Sequence, residues 1–127
     1  MARLRVLICG SRGWKDPAPI NAILAGLDVL AEAAGEKLTV IHGAAPGADQ
    51  LAGKLARQWG AEVTEEPAQW DKHGKAAGPI RNQLMLDEHD PEVVYAFRAD
   101  GKSNGTDDMV RRAVKAEVPT YVITRAT

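Results

Sequence analysis

Leu4-Arg5-Val6-Leu7-Ile8-Cys9-Gly10-Ser11-Arg12-Gly13 is an apolar run, broken only by Arg5, that stops at a glycine and passes into a small polar loop. Apolar residues without alternation mark a strand buried on both faces, as in a parallel sheet covered by helices. The neighbouring segment decides between a buried strand and a buried helix. From Pro17 the apolar positions Ile20, Ile23, Leu24, Leu27, Leu30 and Ala31 recur at helical spacing, with Pro17 or Pro19 suited to a first turn and Gly35 closing the helix.

The alternation continues. Leu38 to His42 is a second strand, ended by Gly43; the loop to Gly47 leads into a helix near Ala48, with Leu51, Leu55 and Trp59 on one stripe. Ala61 to Glu65 alternates apolar and polar residues, which predicts an edge strand. Residues 66–77 carry no clear period, and a connection of that length is often functional. Pro79 opens a short helix, Val93 to Phe97 is a fourth strand, Thr106 is expected to cap the next helix, and Thr120 to Thr124 is the last strand.

Five strands alternating with four helices predict a Rossmann-like three-layer α/β sandwich around a parallel sheet. Strands one and four read as the most buried and strand three as the least, so right-handed crossovers favour the order 3-2-1-4-5. Chain direction then reverses between strands one and four, and ligands of such sheets bind beyond the strand carboxyl ends at that point. The 127 residues are read as one domain, 1–127, with no room for a separate substrate domain.

Composition narrows the partners. Sixteen Lys and Arg against 17 Asp and Glu give a net charge of -1, which speaks against a wrapped duplex or an anionic membrane. The single cysteine, Cys9, excludes an internal disulfide and a Cys-rich zinc site; it reads as a small buried hydrophobe. His42, His73 and His89 show no ligand spacing, so no metal and no cofactor are expected. No stretch approaches the ~18 apolar residues of a membrane span, and the N-terminus lacks a signal-peptide core, so a soluble, cytoplasmic protein is expected.

Three glycine-bearing loops converge on the expected crevice. In the first, Gly10 allows close backbone approach while Ser11 and Arg12 supply a hydroxyl and a forked cation. The fourth, with Asn104, Gly105 and Thr106, would direct helix N–H groups at an anion, although Thr-Asp-Asp also reads as an ordinary cap. In the second, Gly43 and Gly47 free the backbone, and Asp49 is either a first-turn carboxylate or a contact to a ligand such as a ribose hydroxyl. His42 is either a general base or a hydrogen-bonded structural residue.

Arg81 and Asn82 stand in the first turn of the short helix, where a cation opposes the helix dipole and calls for an anionic partner. The segment holding Trp70, Asp71, Lys72, His73 and Lys75 reads either as a lid, with Trp70 stacking on a base and the lysines meeting phosphate, or as a loop packed down by Trp70 as an anchor. Arg12, Lys72, Lys75 and Arg81 would make the site locally basic. Neither GxGxxG nor a P-loop occurs, so a dinucleotide dehydrogenase or P-loop ATPase is disfavoured.

Ile8-Cys9-Gly10-Ser11-Arg12, His42-Gly43-Ala44-Ala45-Pro46-Gly47-Ala48-Asp49, Gly78-Pro79-Ile80-Arg81-Asn82 and Asn104-Gly105-Thr106-Asp107-Asp108-Met109 together resemble the SLOG superfamily, in its YspA/YpsA-related branch common in bacteria and phages. The resemblance spans roughly residues 4 to 123 and implies a Rossmann-like nucleotide-binding fold. Relatives include the LOG phosphoribohydrolases, which cleave the N-glycosidic bond of nucleoside 5′-monophosphates, and the DNA-processing protein DprA. The LOG enzymes use a PGGxGTxxE motif and an arginine. Arg81 matches the arginine and Gly105-Thr106 the GT, but Met109 stands at the glutamate position.

The leading expectation is therefore a sensor or carrier for a small phosphorylated nucleotide or nucleotide-sugar. The second is an N-glycosidase with Arg81 orienting phosphate and Asp108 or Asp49 as the carboxylate. The third is a DprA-like nucleic-acid module, disfavoured by balanced charge and few aromatics. The resemblance also implies a possible homodimer.

Overall fold

The computed structural model describes residues 2–124; the ends of the expected 1–127 domain, residue 1 and residues 125–127, lie outside the described residues. The chain runs β1 (Arg3–Gly10), α1 (Pro17–Ala34), β2 (Lys37–His42), α2 (Ala48–Gln58), β3 (Glu62–Glu65), α3 (Trp70–His73), a 3₁₀ turn (Gly74–Ala76), α4 (Ala77–His89), β4 (Val93–Arg98), α5 (Asn104–Lys115) and β5 (Thr120–Thr124). All four strand pairings are parallel, and the sheet order is 3-2-1-4-5, as the strand compositions predict.

The pleat sorts β1 between two cores. Val6 and Ile8 join Ile20, Leu24, Val40 and Phe97 under α1 and α2, whereas Leu7 and Cys9 join Ile41, Met85, Val94 and Met109 under α4 and α5. Both faces of β1 are thus covered, which is why its sequence shows no alternation. The edge strands β3 and β5 are largely exposed, Tyr121 and Val122 facing outward on β5.

Caps and anchors set the helices. Asp16 accepts from the Ala18 N–H at 3.1 Å with Pro17 at the first position, and Gly35 closes α1 in the left-handed conformation at φ 68°. Trp14, in the loop after β1, is buried; its indole N–H donates to the Asp16 carbonyl at 2.7 Å and its ring meets Phe97 edge-on at 5.5 Å. The loop that opens the crevice is thereby fixed from beneath.

Three local expectations are corrected. Residues 70–76 form two short helical turns rather than irregular chain, because α3 and the 3₁₀ turn are too brief to show a period. Helix α4 starts at Ala77, so Pro79 sits inside its first turn, and Arg81 is one position beyond that turn. Helix α5 starts at Asn104 with Ser103 as its N-cap residue, so Thr106 is inside the first turn and does not cap. Among the described residues no helix is long and apolar enough to cross a membrane.

Candidate functional site

At the junction between β1 and β4 the two chains separate, and the gap between their following loops is the head of a cleft of about 600 Å³. Gly10 makes that junction tight: a side chain there would strike the Phe97 carbonyl and lie 2.6 Å from the Ala48 Cβ. Ser11 then ties three segments together. Its N–H donates to the Phe97 carbonyl at 2.9 Å, its carbonyl accepts from Trp14 and Ala48, and its Oγ accepts from the Ala99 N–H at 2.9 Å.

From Ser11 a chain of hydroxyls crosses the head of the cleft. Ser103 donates to Thr106 Oγ1 at 2.8 Å, and Ser11 Oγ lies 2.8 Å from Ser103 Oγ. Since the Ser103 hydrogen points at Thr106, Ser11 is the donor to Ser103. The Thr106 hydroxyl hydrogen meets no protein acceptor among the described residues. Ser103 therefore gives its side chain to Thr106 and caps nothing, and the backbone N–H groups of Asn104, Gly105 and Thr106 stay open at the positive end of α5.

Arg81 rises from α4 into the floor. Its guanidinium donates to the Gly43 carbonyl, to Asn82 Oδ1 at 3.0 Å and to the Glu66 carbonyl at 3.5 Å, and burial lowers its pKa against the opposing charge of Asp49. Asn82 is fully engaged: besides accepting from Arg81, it donates to the Gly105 carbonyl at 3.1 Å and to Asp108 Oδ2 at 3.0 Å. It links α4 to α5, with both amide hydrogens spent on α5. Asp108 also accepts from Arg112 at 2.8 Å; burial opposes ionisation, but the bonds from Arg112 and Asn82 prevail and hold the carboxyl below its ordinary value. Asp107 turns to Arg98, which grips it at 2.7 and 3.0 Å.

The second loop closes on itself. Asp49 Oδ2 accepts from the N–H groups of Gly43 at 3.1 Å and Ala45 at 3.3 Å, and burial raises its carboxyl to about 6 despite Arg81 and those two bonds. His42 Nδ1 accepts from the Ala44 N–H at 2.9 Å, which leaves the proton of the neutral ring on Nε2. That atom is buried without a hydrogen-bond partner, 3.7 Å from Glu65 and packed against Gly53, and burial lowers the ring's pKa. His42 is outside the cleft lining, so of its two sequence readings the structure places it in the structural one.

Of the residues singled out in the sequence, Gly10, Ser11, Arg12, Asp49, Arg81, Asn82, Asn104, Gly105, Thr106 and Asp108 line the cleft. Gly43 and Gly47 do not. A Cβ at Gly43 would collide with the Arg81 guanidinium, and one at Gly47 (φ 84°) with the carbonyls of Ser11 and Arg12, so both glycines admit protein rather than ligand. Trp70, half exposed, lines the cleft with the Arg12 guanidinium 5.9 Å from its ring centre, bridging its rim. Of the segment around Trp70, Trp70 and Lys75 line the cleft, whereas Lys72 and His73 border a second hollow with Gln69, Ile80 and Leu84.

Lys102 and Ser103 line the cleft although no sequence reading selected them. Ser103 has a signal, a serine three residues ahead of Thr106 at a helix start; a lysine in a turn has none. Cys9 also lines the floor, with its thiol pushed up by burial and by Asp49, so it remains protonated. Four cations, Arg12, Lys75, Arg81 and Lys102, face the cleft without a carboxylate within 4 Å among the described residues.

Comparison with known proteins places this geometry. The chain is 42% identical over 123 residues to the Gene 61 protein of Mycobacterium phage D29, covering 91% of this chain and 92% of that one. The solved structure of TM1055 superposes with a TM-score of 0.62 at 18% identity, over 94% of this chain and 72% of TM1055. DNA processing protein A (DprA) from Streptococcus pneumoniae superposes with a TM-score of 0.57 at 15% identity, over 91% of this chain; the chain spans 57% of DprA. These two likenesses show a shared fold. Residues 4–73 match the family of YspA and cpYpsA-related SLOG proteins, and with the phage relative aligned along nearly its whole length, the chain belongs to that family.

Proposed function

We propose that the cleft binds a small phosphorylated nucleotide or nucleotide-sugar, the protein acting as its sensor or carrier. The observation that carries this reading is the open first turn of α5, with three N–H groups and the Thr106 hydroxyl hydrogen free of protein acceptors, set in a cleft with four unpaired cations. Such a turn is an anion site by geometry and dipole. Trp70 on the rim offers a stacking face for a base, and about 600 Å³ suits a nucleotide-sized ligand.

Thermal unfolding in the presence of AMP, GMP and ADP-ribose tests the reading. A ligand bound only by the native state raises the midpoint, by an amount that grows with its concentration. Midpoints unmoved by every nucleotide at millimolar concentration would sink it.

A second reading, N-glycosidase action on nucleoside monophosphates, is favoured by one observation. Arg81 and an ionised Asp108 both line the cleft and are joined through Asn82. A carboxylate at the sugar would stabilise positive charge developing there. Free base released from AMP or GMP, and lost in Asp108→Ala, supports turnover; its absence with binding intact leaves the carrier.

A further inference from the structure

Asp49 brings to the cleft a group that phosphate binding does not use. The residue is 4% exposed and lines the cleft wall. Its Oδ2 holds the β2–α2 loop through the Gly43 and Ala45 N–H groups, while Oδ1 accepts from no protein donor among the described residues. An ionised carboxylate can accept about four hydrogen bonds, and Oδ1 is not sealed off, since among the described residues the buried side-chain atom without a partner is His42 Nε2; Oδ1 thus keeps acceptor capacity open to the cleft. The nearby cation does not use this capacity: the Arg81 hydrogen bonds go to two carbonyls and Asn82, and no ion pair joins Arg81 to Asp49.

The ligand groups that suit such an oxygen are set by its chemistry. A phosphate offers only acceptors and would be repelled. A sugar hydroxyl is a donor, and a carboxylate facing a ribose diol is a general way to read a nucleoside. With the phosphate at the first turn of α5 and the base toward Trp70, the sugar lies between them, and Asp49 is in the same cleft.

Resting on the nucleotide reading above, we propose that Asp49 accepts a hydrogen bond from a ribose hydroxyl through Oδ1, so that the cleft selects ribose phosphates over their deoxy counterparts. Asp49 is then a specificity residue, while Arg12, Lys75, Lys102 and the α5 turn supply affinity for the anion. The low exposure of the residue favours the bond further, since a charge-assisted bond gains strength where little water competes.

The test measures binding of AMP, GMP and ribose 5-phosphate against 2′,3′-dideoxy-AMP and 2′,3′-dideoxy-GMP by calorimetry, in the wild type and in Asp49→Asn. The wild type is expected to bind the ribo form at least tenfold more tightly than its dideoxy partner. Asp49→Asn keeps one acceptor for the loop N–H groups and replaces the open oxygen by an amide nitrogen, so the ratio should fall below threefold. Inorganic phosphate, measured by competition, should bind both proteins within threefold. Equal binding of ribo and dideoxy forms by the wild type overturns the inference while leaving the nucleotide reading intact. An unchanged ratio in Asp49→Asn overturns the assignment to Asp49. If no nucleotide or ribose phosphate binds, the nucleotide reading itself fails, and this inference with it. Should Asp49→Asn not fold, the wild-type ratio alone still decides selectivity.

Discussion

The β2–α2 and β4–α5 junctions look alike in sequence and do opposite things. Both are glycine-bearing loops at strand carboxyl ends, and both lead into helices without a side-chain cap. At β2–α2 the donors are consumed internally: Gly43 and Ala45 by Asp49, Ala44 by His42, Ala48 by the Ser11 carbonyl. At β4–α5 the first-turn N–H groups stay open and face the cleft. A glycine-rich turn is therefore a scaffold or a binding site according to where its N–H groups are directed.

The contrast is broken most directly by one substitution at each junction. Gly47→Ala adds a Cβ at φ 84° against two carbonyls, so stability should fall by about 3–5 kcal/mol. Gly105→Ala meets open space in a helical first turn and should be neutral or stabilising by up to about 1 kcal/mol. Urea denaturation of the two variants decides; similar losses would erase the distinction.

The next effect comes from the titration of Asp49. Its carboxyl sits at about 6 in the folded protein against an ordinary 3.8, so between those values the native state binds more protons than the unfolded state. Stability contributed by this residue therefore declines as pH rises from about 4 to about 6, by ~2–3 kcal/mol, and does not return above. Asp49→Asn lacks the titration and should gain on the wild type across that window, with a constant difference above pH 7. Denaturation curves at pH 4, 5, 6 and 7.5 check it; a pH-independent difference contradicts it.

Smaller effects probe the open junction. Asn104→Pro removes one N–H from the first helical position, where proline is tolerated. Ligand affinity should drop about tenfold with the melting midpoint held, since a hydrogen bond to a charged group is worth ~1.5 kcal/mol or more. Loss of stability without loss of affinity would mean the N–H groups serve the fold. Ser103→Ala interrupts the hydroxyl chain and should weaken binding about threefold, for a loss of ~0.7 kcal/mol; unchanged affinity would show that Thr106 does not need its orientation fixed.

Much of the architecture is legible because burial on two faces writes itself as unbroken apolar runs. Val6 to Cys9 and Val94 to Phe97 are such runs, and the sheet order is consistent with them. The loops at the strand carboxyl ends are legible as glycine clusters but not as to what approaches them: Gly43 makes way for Arg81, 38 positions away, and no local pattern reports that approach. His42 is ambiguous in sequence for the same reason, since Gly53 across its ring is a tertiary partner. The sequence places the cap of helix α5 three residues late because Thr106 has a capping side chain, whereas Ser103, the residue in the cap position, gives its hydroxyl to Thr106.

A row of hydroxyls such as Ser11, Ser103 and Thr106 admits two opposite proton orders, and nothing in the three side chains alone prefers one. The Ala99 amide, at the row's far end, can only give a proton, and Ser11 Oγ receives it. The order is thereby biased along the whole row, and the Thr106 hydrogen is left free at its end. A peptide group at the opposite end of the row thus decides where the free proton emerges, which under the proposed reading is the end that an oxyanion would meet.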